Sequence, residues 1–255
     1  MYLFAFDIGN TSITSGIFYR NKLVKTWRMP SCSKLKASDY TRMIKKHAGR
    51  IKPRDISGTA VSSVVPSLNA TFTRVSEIIS GKKPLFAGHA NCGIRTHYRN
   101  PAQIGSDRLV NAVAGYKLFG GPLVIADFGT ALTFDCVDPY GSYLGGLIFP
   151  GIGTSARALQ EFTAKLPLVE ISGPAKHIIG KTTEESIKSG IYFGYTGLVK
   201  YICGLLKKQL KCDKIISTGG NAGIISKKLR IKTVPELTLL GLKFIWDKNI
   251  QKDRG

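Results

Sequence analysis

Apolar residues open the chain in short strand-like runs. Residues 2–8, 13–19 and 22–29 form three such runs, joined by links too short for a crossover, so an antiparallel meander is expected. The period then changes. Tyr40, Met43, Ile44 and His47 recur at helical spacing and predict a helix over about 39–48. A strand follows at 56–62 (ISGTAVS), then a helix at 69–80 with Phe72, Val75, Ile78 and Ile79 on one face, and a third helix from Ser106 to about Phe119. After Gly120-Gly121 the pattern restarts, with strands at 122–127, 131–138 and 141–148 and a break at Pro150-Gly151. A long helix at 183–211 carries an apolar stripe from Ile187 through Ile191, Tyr195, Leu198, Val199, Ile202, Leu205 and Leu206 to Leu210. A strand at 213–217, a glycine turn at 219–223 and a helix near 236–248 complete the reading.

The restart is also an echo. FAFDIGNTSITSGIF at 4–18 is answered by VIADFGTALTFDCVD at 124–138, so that Asp7 matches Asp127, Gly9 matches Gly129 and Asn10-Thr11 match Thr130-Ala131. Self-similarity of this kind points to duplication. The expected architecture is α/β: two similar halves, 1–119 and 120–255, each a mixed sheet with helices, facing each other across a cleft.

Composition narrows the class. With 43% hydrophobic and 21% charged residues the chain is globular. No apolar run reaches the roughly 20 residues of a bilayer span, and MYLFAFDIGN, with Asp7 inside it and no basic leader, reads as a buried strand rather than a signal peptide. Five scattered cysteines without a C-x-x-C pair suggest reduced thiols and a cytoplasmic protein. The net charge of +21 would suit nucleic acid, but Lys45-Lys46, Lys82-Lys83, Lys207-Lys208 and Lys227-Lys228 are dispersed along the chain. That dispersion favours a solvated basic surface, able to gather anionic ligands, over a nucleic-acid partner.

Four segments carry chemistry. In Asp7-Ile8-Gly9-Asn10-Thr11 a strand ends in a carboxylate and a glycine hairpin, and Gly9 lets phosphate oxygens approach the backbone. A carboxylate and a phosphate about 4 Å apart repel by roughly 4 kcal/mol at an effective dielectric of about 20; Mg²⁺ held partly through water relieves the conflict. Asp127-Phe128-Gly129-Thr130 is the second copy, and no G-x-x-x-x-G-K-[ST] sequence is present. Ser217 to Gly223 (STGGNAG) is a glycine turn against which a base or ribose could lie. Gly105-Ser106-Asp107-Arg108 opens a helix and offers an acid beside a guanidinium able to grip a carboxylate. The helix dipole is expected to hold the Asp107 carboxyl low, making it a weak base.

These segments resemble the phosphate and adenosine loops of the actin–hexokinase–chaperone ATPase superfamily, whose halves are ribonuclease H-like. DIGNT, SSVVP at 62–66, Y-x-N-P at 98–101, GSDR, DFGTALTFD at 127–135, GGLIFPG at 145–151, LP at 166–167, GKTT at 180–183 and GYTG at 194–197 stand in the order seen in type III pantothenate kinases. The resemblance implies ATP-dependent phosphorylation of pantothenate to 4′-phosphopantothenate, the first step of coenzyme A biosynthesis. It implies that Asp7, Ile8, Gly9, Asn10, Thr11, Ser12, Ile13, Thr14 and Thr130 bind ATP, with Asp7 on the Mg²⁺ side. Tyr98, Gly105, Ser106, Asp107, Arg108 and Thr183 would contact pantothenate, with Asp107 as proton acceptor and Arg108 holding the carboxylate. Asp127 would bind a monovalent cation, K⁺ or NH₄⁺, and the protein would be a homodimer. Thr182-x-x-Glu185 is also a capping box, so the substrate threonine could be either of the adjacent pair. A kinase for another hydroxyl acceptor, and an accessory factor in transcription, are the alternatives on the same fold.

Overall fold

A computed structural model describes residues 1–252. The described residues form two compact units: Met1–Lys117 together with 236–252, and Leu118–Pro235.

In the first unit β1 (Tyr2–Ile8), β2 (Ser12–Tyr19) and β3 (Lys22–Pro30) make the expected antiparallel meander. After α1 (Ala37–Ala48), β4 (Ile56–Ser63) returns parallel to β1. It is followed by α2 (Pro66–Ser80), the two-residue β5 (Leu85–Phe86) parallel to β4, and α3 (Ser106–Phe119). The sheet order is β3-β2-β1-β4-β5. One face buries Phe4, Phe6, Ile8, Ile13 and Ile17 against Tyr40 and Ile44 of α1 and Phe72 and Val75 of α2; Leu3 and Ala5, which alternate with them on β1, are buried as well.

The second unit repeats the plan. β6 (Leu123–Phe128), β7 (Ala131–Val137) and β8 (Tyr143–Pro150) form a meander, followed by α4 (Ile152–Glu161) and α5 (Thr183–Leu210). β9 (Ile215–Thr218) runs parallel to β6; after α6 (Ala222–Leu229), β10 (Lys232–Thr233) runs parallel to β9. The order, β10-β9-β6-β7-β8, is the first unit's order again. The long-helix stripe is mostly core: Ile187, Ile191, Val199 and Leu206 are buried among Val124, Phe128 and Phe134, whereas Leu205 is exposed.

The last helix, α7 (Leu237–Lys252), belongs to the first unit. Read from sequence with the second half, it packs instead on β1, β2 and β4. The bare positions of Gly16 and Gly58 on that sheet receive Leu239 and Trp246, whose side chains fill the space a Cβ would need. Among the strands and α-helices of the described residues four went unanticipated: β5 and β10 are two residues long, α4 buries only Ile152 and Ala156, and α6 follows a glycine turn with only eight residues.

Candidate functional site

Asp7 stands near the C-terminal end of β1, in the middle strand of its sheet. Its register partners are Thr14 on β2 and Ser62 on β4. Since neighbours in register share a face, the carboxylate has a hydroxyl residue on each side. Beyond it the chain turns through Gly9 to Ser12, closed by Gly9 N–H donating to the Ser12 carbonyl at 3.1 Å. Asn10 and Thr11 lie exposed at the tip.

Asp127 repeats the arrangement in the second unit, with Thr133 on β7 and Thr218 on β9 as its register partners. Its hairpin is one residue shorter, Gly129 N–H donating to the Ala131 carbonyl at 3.0 Å. The Thr130 carbonyl accepts from Gly151 N–H at 2.9 Å and from the Thr154 hydroxyl at 2.6 Å, so the start of α4 holds the hairpin. The glycine turn after β9 closes over the same strand end. Asn221 N–H donates to the Phe128 carbonyl at 3.1 Å. Gly219, at φ +91°, passes so near that a Cβ there would press on the Asp127 carboxylate and come within 2.6 Å of the Phe128 carbonyl carbon. Only glycine meets both demands.

The GSDR segment belongs to the first unit and is pinned to the sheet by a serine. Ser106 Oγ accepts from Ser63 N–H at 2.9 Å, donates to the Ser63 carbonyl at 3.0 Å and lies 3.1 Å from Ser62 Oγ. Ser62 and Ser63 are register neighbours of Asp7 and Ile8 on β1. The start of α3 is thereby fixed at the strand ends that carry Asp7. Ser62 and Ser63 had no role in the sequence reading; the polar pair opening SSVVP at a strand end was the available signal.

Asp107 follows at once. Its Oδ1 accepts from Arg108 N–H at 2.8 Å. Burial pushes the Asp107 carboxyl up from the ordinary carboxylate value, against the opposing pull of the Arg108 N–H and guanidinium. This reverses the sequence expectation of a dipole-lowered acid, because desolvation outweighs the dipole here. Arg108 itself is buried. One turn on, buried Asn111 accepts from the Thr238 hydroxyl of α7 at 2.8 Å, locking α3 to the C-terminal helix.

Tyr98 is partly exposed, its N–H bound to Thr96 Oγ1 at 3.0 Å, on the loop that leads to α3. Thr182 and Thr183 separate cleanly. Thr182 caps α5 by accepting from Glu185 N–H at 3.1 Å, and Glu185 in turn accepts from Lys181 N–H at 2.7 Å. Thr183, the first helical residue, is exposed. The first unit therefore gathers Asp7–Thr14 with Gly105–Arg108, and the second gathers Asp127, Thr130 and Ser217–Gly223; Thr183 sits apart from that strand end, at the start of α5.

The donors around both carboxylates are oxygen, the chemistry of Mg²⁺ and K⁺ rather than of thiophilic metals. Among the described residues no group of three or more His, Cys, Asp or Glu stands together. An ion held by one carboxylate and by the phosphates of a nucleotide requires no such cluster.

The sequence profile of type III pantothenate kinases matches residues 3–204. The chain is 41% identical over 254 residues to the type III pantothenate kinase of Dehalococcoides mccartyi, covering 97% of this chain and 98% of the relative. It is 40% identical over 257 residues to that of Endomicrobium trichonymphae, at 96% and 99% coverage. Among solved structures it is similar to a ROK family glucokinase from Streptomyces griseus in complex with glucose and AMPPNP, with a TM-score of 0.53, 11% identity and coverage of 95% and 98%. That likeness is one of fold alone. By profile and by near-full-length identity, the chain belongs to the type III pantothenate kinase family.

Proposed function

We propose that the protein phosphorylates pantothenate with ATP, that Asp7–Thr14 binds phosphate, and that the Ser217–Gly223 turn offers a surface for adenosine. The observation that carries the reading is the serine tether. Ser106 fixes a half-buried acid and a buried guanidinium to the strand ends beside the Asp7 hairpin. Arg108 grips the pantothenate carboxylate, and Tyr98 and Thr183 contact the remainder of the substrate. Asp107 accepts the proton of the primary hydroxyl as its oxygen forms a bond to the γ-phosphorus; the bond from that phosphorus to the β–γ bridging oxygen breaks and ADP leaves. A carboxyl raised above its usual value is better matched to that proton than an ordinary aspartate. Mg²⁺, when bound on the Asp7 side, neutralises the phosphate charge. Asp127, beside Thr218 and the Gly219 turn, would hold K⁺ or NH₄⁺ through oxygen donors. Positioning and charge neutralisation supply the catalysis.

The same reading takes the protein as a cytoplasmic homodimer. Five free thiols suit a reducing compartment, and among the described residues no helix is long and apolar enough to cross a membrane. Exposed Phe162, Ile178 and Ile179 are the apolar side chains that support a second copy.

ADP release measured over a panel of hydroxyl acceptors tests the substrate. Pantothenate is expected to stimulate it well above sugars and glycerol, and more with K⁺ than with Li⁺; stimulation by a sugar instead would make this a different kinase. Gly219→Ala is expected to raise the KM for ATP at least tenfold and lower Tm, leaving the KM for pantothenate near the parent's. Thr182→Ala is expected to cost about 1 kcal/mol of stability as a lost cap, with the KM for pantothenate kept. Thr183→Ala should raise that KM and leave the melting curve in place. The reverse pattern would move the substrate contact to Thr182.

A further inference from the structure

Two of the basic pairs, Lys207-Lys208 and Lys227-Lys228, meet in the second unit. Leu118–Pro235 holds fourteen Lys and Arg, and nine of them fall between Lys200 and Lys232, against one acid, Asp213. The rest of the unit has five cations and seven acids, so its whole positive excess comes from this stretch. The topology explains why these residues share a surface. β9 and β10 run parallel to β6, and each is entered from the C-terminal end of a helix, α5 before β9 and α6 before β10. Both helix ends therefore sit where the parallel strands begin, away from the strand ends that carry Asp127 and Gly219. Lys207, Lys208 and Lys211 close α5, and Lys227, Lys228 and Arg230 close α6. Lys214 and Lys232 bind them together at Phe119: Lys214 Nζ donates to its carbonyl at 3.0 Å, and Lys232 Nζ lies 4.8 Å from its ring centre. All of these cations are exposed; Asp213, paired to Lys207 at 3.3 Å, is the one acid in the same stretch of chain.

A helix end is stabilised by one or two cations; eight at one end of a sheet exceed that need. They do not serve the nucleotide either, since they lie at the opposite end of the strands from the Asp127 hairpin. We propose that this face binds the phosphodiester backbone of nucleic acid without regard to sequence. Lysines predominate, and as flexible point charges they suit phosphates rather than base edges. From Lys200 to Lys211, α5 spans roughly 17 Å at 1.5 Å per residue, the rise of about five base pairs. Tyr201, exposed beside Lys200 and Lys208, adds a ring on which an unpaired base can stack. The proposal is independent of the kinase reading.

The test uses a labelled mixed-sequence 20-base-pair duplex and fluorescence anisotropy at 50–200 mM salt. The patch variant neutralises Lys207, Lys208, Lys227 and Lys228 to Gln; a control neutralises exposed Lys22, Lys45, Lys46 and Lys83 of the first unit, removing the same charge. A third protein carries Arg at the four patch positions, and melting curves establish that each is folded. The parent and the Arg protein are expected to bind with a steep salt slope. The patch variant should bind at least tenfold more weakly, with a slope shallower by about one for each phosphate it no longer neutralises, and the control within about twofold of the parent. Equal weakening of patch variant and control would overturn the proposal, as net charge alone would then account for binding. So would a parent that binds anionic phospholipid vesicles but no duplex, or neither.

Discussion

Asp107→Asn is expected to lower kcat by about a thousandfold, within the 10²–10⁴ span of a general base, with ATP binding kept. It is also expected to raise stability at neutral pH. The Asp107 carboxyl titrates above its unfolded value because burial penalises its charge. The folded state thus favours the proton: this contribution to stability is complete below the ordinary carboxylate range and is lost as pH rises through the raised value. At neutral pH the ionised group is a cost of the fold, and asparagine removes it. A Tm gain of about 2–4 °C for each kcal/mol released should appear at pH 7 in a chain of this size and vanish toward the acid end. Differential scanning calorimetry across pH, beside initial rates, reads both effects. Loss of activity with loss of stability would mean that Asp107 is a helix-start residue; parent-like turnover would remove it from the chemistry. In the parent, the acid limb of kcat should fall above that of an ordinary aspartate, since the base works only when ionised.

Arg108→Gln should raise the KM for pantothenate by about 10²–10³, because a buried guanidinium and the carboxylate it holds are worth about 2–5 kcal/mol when one partner is removed. The KM for ATP should stay near the parent value. A second consequence separates this from a simple loss of affinity. The Arg108 charge opposes the burial that lifts Asp107, so without it the Asp107 carboxyl must rise further. The acid limb of the kcat profile should then move to higher pH at saturating pantothenate. An unchanged KM would show that Arg108 does not hold the substrate, and an acid limb left in place that its charge does not act on Asp107.

Much of this was legible in the residues. The echo of DIGNT in DFGTA is realised as two sheets of identical strand order, each with an aspartate flanked by hydroxyl residues in register. The meanders and α3 follow from link lengths and helical spacing. What escaped was tertiary in origin. α7 joins the first unit because Gly16 and Gly58 leave room for Leu239 and Trp246, and sequence order gives no hint of that return. The upward shift of Asp107 depends on what surrounds the start of α3, which a dipole argument omits. The Ser62–Ser63–Ser106 tether joins residues more than forty positions apart. The excess of cations between Lys200 and Lys232 can be counted in the chain, but that they share one end of a sheet follows only from the topology of β9 and β10.

The most direct single measurement follows both products together: ADP by coupled assay and phosphorylated pantothenate by mass spectrometry, with pantothenate as the sole added acceptor. One 4′-phosphopantothenate formed for each ADP, at a rate that collapses in Asp107→Asn, is the expected result. ADP release indifferent to pantothenate, or phosphorylation that persists at the parent rate without the Asp107 carboxylate, would contradict the account.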